Sequence, residues 1–295
     1  MIHPKTVQTT AAVAAHYDDL DAFYREIWGD HVHHGYWVTG RETPPEAAVA
    51  LIEFLADHLN LAPDLDVMDI GCGYGATARY LAQTRDVRMT GFTVSAAQAA
   101  YAATKPVPGV DIRVQDWLTN GLPDACFDRA YSIESSEHMP DKQRFFDEAF
   151  RTLRPGGLLG VYAWLSKTDP RPWEVRHLLE PICREGRLPS MGDEADYAAM
   201  AEHAGFEIQG QADISDRVRK TWWICLKRVA GKIVSDDRYR RFLLQRSAEN
   251  RIFALTLVRL LVAYRTHSMR YCLLVYRKPA GAGEGNRTLL ASLEG

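Results

Sequence analysis

Several things are scarce in this sequence. The five cysteines, Cys72, Cys126, Cys183, Cys225 and Cys272, are odd in number, widely spaced and nowhere form a CxxC pair. That argues for reduced thiols and against a disulfide framework or a zinc site. No apolar run reaches membrane-spanning length, and "MIHPKTVQTTAAVAAHYDDL" lacks the basic start and apolar stretch of a secretory signal. A cytoplasmic location is therefore expected. Positive charge is not in excess: the net charge is −3, which gives no whole-chain case for nucleic acid. Internal repeats are absent. What is present, 46% apolar and 25% charged residues over 295 positions, is the composition of a soluble globular protein of one large or two modest domains. Charge is uneven, however. Residues 216–246 carry ten Lys/Arg against Asp216, Asp236 and Asp237, a local +7.

"TPPEAAVALIEFLADHL" reads as a helix: Thr43 caps it, Pro44 suits the first turn and Glu46 completes a capping box. Short apolar runs then alternate with helical patterns. Strands are expected at 65–70, 87–93, 110–114, 128–133 and 158–164, with helices at 75–84, 95–104 and 142–153 between them. Such alternation implies parallel βαβ units. Further on, helical patterns at about 172–185 and 193–204 precede a strand at 206–213, and a long helical stretch, 216–266, precedes the last strand, "MRYCLLVYR". Strands return to the sheet after each insertion, so 165–204 and 216–266 are expected to form a lid. The glycine-rich tail 280–295 is expected to be disordered.

"DVMDIGCGYGATARYLA" is a strand, a glycine turn and a helix. Gly71 and Gly73 allow positive φ and close backbone approach, and the helix N-terminus offers unpaired N–H groups. The glycines alone also fit a dinucleotide fingerprint or a tight βα turn. Two neighbours weigh against a dinucleotide. Asp69 would repel a pyrophosphate and attract a sulfonium or ammonium, and "MTGFTVS" supplies no acid for a ribose about 20 residues on.

"VMDIGCGYG" resembles the first motif of S-adenosylmethionine-dependent methyltransferases, and "GFTVSAAQ" resembles the second-strand variant of cyclopropane-fatty-acid synthases and nearby small-molecule methyltransferases. "QDWL" and "LRPGG" match later motifs of the same class. "IWGDHVHHGYW" and "SIESSEHMPDK" are similar above all to the tocopherol C-methyltransferase-like group, and the resemblance covers about residues 15–279. It implies an α/β class I Rossmann-like fold with a seven-stranded, mostly parallel sheet, helices on both faces and an inserted helical lid. Residues 1–60 would be a helical flap and 61–279 the methyltransferase domain. The cofactor implied is S-adenosyl-L-methionine, held by Tyr17, His33, Asp69, Gly71, Gly73, Thr93, Gln98, Asp116, Trp117 and Glu134. In this pattern Thr93 and Gln98 replace the ribose acid, Asp116 and Trp117 meet the adenine, and Tyr17 and His33 lie near the carboxylate.

"YSIESSEHM" ends a parallel strand, where ligands of such sheets bind. By resemblance Glu137 and His138 face the acceptor and are the candidate catalytic residues. His138 titrates in the range of a general base; a histidine that orients Glu137 or a loop is the alternative. Tyr36, Trp164, Trp173 and Trp222 are the candidate acceptor contacts, although core packing is the ordinary fate of at least two such indoles. His31, His33 and His34 lack an accompanying acid or cysteine cluster, so no metal is expected. The basic stretch 216–246 reads as a solvated helix face, an anionic-acceptor site or a weak membrane-surface contact. The expected activity is methyl transfer to a C, N or O nucleophile of a small aromatic or prenylated metabolite. Cyclopropanation of a lipid alkene and an inactive cofactor-binding scaffold are the alternatives.

Overall fold

The computed structural model describes residues 1–244 and 253–281. Part of the expected lid, Arg246 of the basic stretch and most of the expected tail lie outside them. Seven strands form one sheet: β1 (Asp66–Ile70), β2 (Arg88–Thr93), β3 (Val110–Val114), β4 (Phe127–Ile133), β5 (Leu153–Ser166), β6 (Glu207–Asp213) and β7 (Met269–Arg277). Their order is β3-β2-β1-β4-β5-β7-β6. The first five are parallel, and β7 runs antiparallel to both β5 and β6.

The strands read as apolar runs because the central ones are covered on both faces. Along β7, Tyr271, Leu273 and Val275 join one core, while Cys272, Leu274 and Tyr276 join the other. The first core takes Leu51 and Leu55 from the helix Pro44–His58, whose capping box forms as expected, and Leu59 from the residue that caps its end. Gly160 makes that packing possible, since a Cβ there would stand 2.7 Å from Leu55 Cδ1. The second core takes Phe145, Phe146 and Ala149 from the helix Lys142–Thr152.

Two elements differ from the sequence expectation. β5 begins at Leu153, five residues early, because Phe127 pairs with Leu153 across an irregular register before regular pairing resumes at Arg129 and Leu158. The helix Glu194–Ala204, expected in a lid, instead packs on the helix Lys142–Thr152 and on β6, with Tyr197 and Ala201 in the second core. It is a sheet-covering helix. The stretch after β6 breaks into Ser215–Val218, Lys220–Ser235, Asp237–Leu244 and Phe253–Arg265, of which the helices Lys220–Ser235 and Phe253–Arg265 pack together. At the other end of the chain, helices Thr10–Asp19 and Asp21–Ile27 lead into an irregular segment that reaches the C-terminal ends of the strands. Among the described residues, no helix is long and apolar enough to cross a membrane.

Candidate active site

The glycine turn follows β1. Gly71 has φ +80°, and a Cβ on it would stand 2.3 Å from that of Ser135, so only glycine lets the ends of β1 and β4 meet. Beneath it, Asp69 accepts a hydrogen bond from the Tyr131 hydroxyl at 2.8 Å, and burial pushes its carboxyl up to about 7. At the end of β2 the Thr93 hydroxyl donates to Gln98 Oε1 at 2.8 Å. That bond fixes the amide, leaving Nε2 3.9 Å from where a Cβ of Gly73 would stand. Asp116 accepts from the Leu118 N–H at 2.9 Å, and the Trp117 indole is buried, donating to the Phe145 carbonyl at 3.2 Å.

The acids at the end of β4 are both partnered. Glu134 Oε1 accepts from the His34 N–H at 2.7 Å, from His34 Nδ1 at 2.9 Å and from the Tyr271 hydroxyl at 2.8 Å. Its Oε2 accepts from the Trp164 indole at 3.0 Å. Burial raises its pKa, but His34 outweighs burial and holds the carboxyl near 2. Glu137 accepts from the Trp164 N–H at 2.6 Å, and burial pushes it up to about 8. The strand-end acids thus organise the protein around Trp164, which bonds both.

His138 follows on a short turn. Its Nδ1 lies 3.4 Å from the Arg187 carbonyl, which can only accept, so Nδ1 carries the proton. Nε2 is then the lone pair, and it accepts from the Tyr17 hydroxyl at 3.0 Å. Burial keeps the ring neutral, with its pKa lowered to about 4. Lys142 Nζ donates to the carbonyls of Glu137 and Met139, either side of His138, and to the Ser190 hydroxyl at 2.9 Å.

One cleft of about 790 Å³ brings together Tyr17, Gly71, Gly73, Thr93, Gln98, Asp116, Trp117, Glu134 and His138. A smaller adjoining cleft adds Asp69 and His33 along the glycine turn. Glu137 lines neither; it lies 2% exposed behind the wall. Tyr36 is likewise elsewhere, stacked on Phe54 with ring centroids 5.0 Å apart. Trp164 and Trp222 meet edge-to-face at 5.4 Å in a cluster with His34, and Trp222 is buried there. Trp173 is 43% exposed, away from both clefts, which corrects its assignment as an acceptor contact. Sequence reasoning did not find Thr10, Val13, Gln115 or Met139, which also line the larger cleft. Thr10 and Val13 come from the first helix, whose apolar pattern carries no binding signature.

The cleft suits a cofactor with a nucleoside at one end and a charged amino acid at the other. Gln98 presents an oriented donor beside the glycine turn, Asp116 lines the same cleft, and buried His33 Nε2, on the adjoining cleft, has no partner. Asp69 opposes a pyrophosphate there. The sheet order and the strand-end cleft are those of the class I methyltransferase fold.

Comparison with known proteins agrees. The model of the family described as mycolic acid cyclopropane synthetase matches residues 4–239, and the chain belongs to that family. It is 33% identical over 235 residues to a probable chloroplastic tocopherol O-methyltransferase of Oryza sativa subsp. japonica, covering 73% of this chain and 65% of the relative. It is 32% identical to the 27-O-demethylrifamycin SV methyltransferase of Amycolatopsis mediterranei, covering 93% of this chain and 99% of the relative. A mycolic acid cyclopropane synthase complexed with SAH and CTAB shares the fold, with a TM-score of 0.80 and 21% identity over 93% of this chain and 100% of that one. The chain thus spans just under two thirds of the tocopherol enzyme and nearly all of the rifamycin one. The family is S-adenosyl-L-methionine-dependent.

Proposed function

We propose that this chain moves a methyl group from S-adenosylmethionine to a C, N or O nucleophile of a small, ring-bearing or prenylated metabolite. The observation that carries this reading is the sharing of one cleft by Gln98, the glycine turn and the His138–Tyr17 pair. The O-methyltransferase in one relative's name favours oxygen as the receiving atom. The bound cofactor supplies an already activated sulfonium methyl, so alignment and exclusion of water are the protein's main tasks. Asp69, Gly71, Gly73, His33, Gln98 and Asp116 hold it. His138 Nε2 takes the proton of an acceptor hydroxyl while Tyr17 yields the lone pair or relays that proton. A base of pKa near 4 removes it only as the new bond forms. Glu134, whose charge favours a protonated His138, stabilises the imidazolium.

Five unpaired thiols support a reducing compartment such as the cytoplasm. Exposed Trp223 and Val234, with Lys227 and Arg240, support a weak membrane-surface contact through 216–244. The test is turnover: the protein is incubated with S-adenosylmethionine and a panel of phenols, alcohols, amines and unsaturated lipids. A methylated product supports the reading. A cyclopropane product, or cofactor binding without turnover across the panel, counts against it.

A further inference from the structure

A second cavity lies between residues 28–48 and the helix Lys220–Ser235, with about 900 Å³ of open space. Trp28, Trp37 and Ile224 give it apolar walls. His31 and His33 line it and also line the cleft along the glycine turn, so the two spaces share that wall. Two imidazole nitrogens on it lack the partners that buried groups normally have. His33 donates from Nδ1 to the His34 carbonyl at 2.7 Å, which leaves Nε2 a bare lone pair, buried and unpartnered. His31 Nδ1 is also buried without a partner. Arg228 donates to the Ile27 carbonyl and makes no ion pair among the described residues. The carboxylate on the wall, Asp30, is already committed to Lys105 at 2.6 Å and Tyr101 at 2.9 Å.

We infer that this cavity is a recognition subsite for an acidic aromatic ligand, its flat apolar body between Trp28, Trp37 and Ile224 and its anionic group on Arg228. The guanidinium offers a fork of N–H donors that suits a carboxylate, sulfonate or phosphate. Of the two imidazoles, His31 Nδ1 faces a hydroxyl or N–H group of the same molecule, while His33 serves the cofactor's side of the wall. Because the wall is shared with the cofactor's site, the ligand is the methyl acceptor or its carrier group. Only that last identification rests on the proposed methyl transfer.

The test uses the full chain and two fluorescent probes, 1-anilinonaphthalene-8-sulfonate and the uncharged N-phenyl-1-naphthylamine. Each should bind one saturable site. Arg228→Gln should weaken the sulfonate by about tenfold, the loss of one charged hydrogen-bonding partner, and leave the uncharged probe within about twofold. Ile224→Trp, which fills the cavity, should weaken both. S-adenosylhomocysteine affinity, measured by calorimetry, should stay unchanged in both variants and thereby reports that they are folded. Should Ile224→Trp fail to fold, Arg228→Lys decides, since it should recover most of the sulfonate affinity that Arg228→Gln loses. Sulfonate affinity unchanged in Arg228→Gln would overturn the inference, as would probe binding indifferent to a folded Ile224→Trp or no recovery in Arg228→Lys. Failure of the wild type to bind S-adenosylhomocysteine would instead sink the methyltransferase reading and leave the cavity's specificity standing.

Discussion

At Glu134 the backbone turns left-handed, with φ +52°, and one carboxylate collects donors from His34, Trp164 and Tyr271, three segments distant in the chain. Its neighbour in function is His138. If His138 accepts the acceptor's proton, His138→Ala should lower kcat by about 10²–10⁴-fold and leave S-adenosylmethionine affinity nearly intact. For a hydroxyl acceptor the deficit should shrink at high pH, where solvent shares the deprotonation. Wild-type kcat at neutral pH in that variant would remove the base from the mechanism. Asp69 makes a second prediction. Its folded pKa, about 7, lies above the ordinary value of 3.8, so the folded state holds the proton more tightly. Its contribution to stability is full below about pH 4 and lost as pH rises through 7. Melting of the unliganded protein should show that decline, and Asp69→Asn should reduce it, the remainder coming from buried Glu137, raised to about 8.

Between elements, Thr221 is the clamp to test. Its hydroxyl oxygen accepts from the Gly35 N–H at 3.0 Å and from the Trp37 indole at 3.2 Å, tying residues 35–37 to the helix Lys220–Ser235. Thr221→Val would leave two buried donors without a partner, each costing about 1–3 kcal/mol. The expected result is a lower Tm and faster hydrogen exchange at residues 35–37, read by mass spectrometry; unchanged exchange there would mean that this segment is held elsewhere. This clamp was invisible in the sequence because its two sides are 186 positions apart. What was legible was local. Apolar runs between helical patterns marked the βα units, the Thr43–Glu46 box started its helix, and the glycines with Thr93 and Gln98 do line one cleft. The helix Glu194–Ala204 was misread because an amphipathic pattern says that a face is buried, not whether sheet or lid buries it. Tyr36, Trp173 and Glu137 were misplaced for a related reason: their surroundings are set by residues far along the chain.

Across the molecule, ligand binding should report which cofactor the cleft accepts. S-adenosylhomocysteine should raise the Tm more than NAD at equal concentration, because Asp69 opposes a pyrophosphate and Gln98 stands where a dinucleotide site wants an acid. An equal or larger shift with NAD would sink the assignment. The His31–His33 wall carries a further consequence. One short segment borders both the glycine-turn cleft and the second cavity, so neither ligand can seat without setting the same few side chains. The cofactor, by ordering that segment, prepays part of the conformational cost met by whatever enters the other side. Steady-state kinetics should then show synergy, each ligand lowering the concentration of the other needed for half-saturation. Thermodynamic reciprocity fixes the rest: by whatever factor the cofactor tightens the second ligand, that ligand must tighten the cofactor.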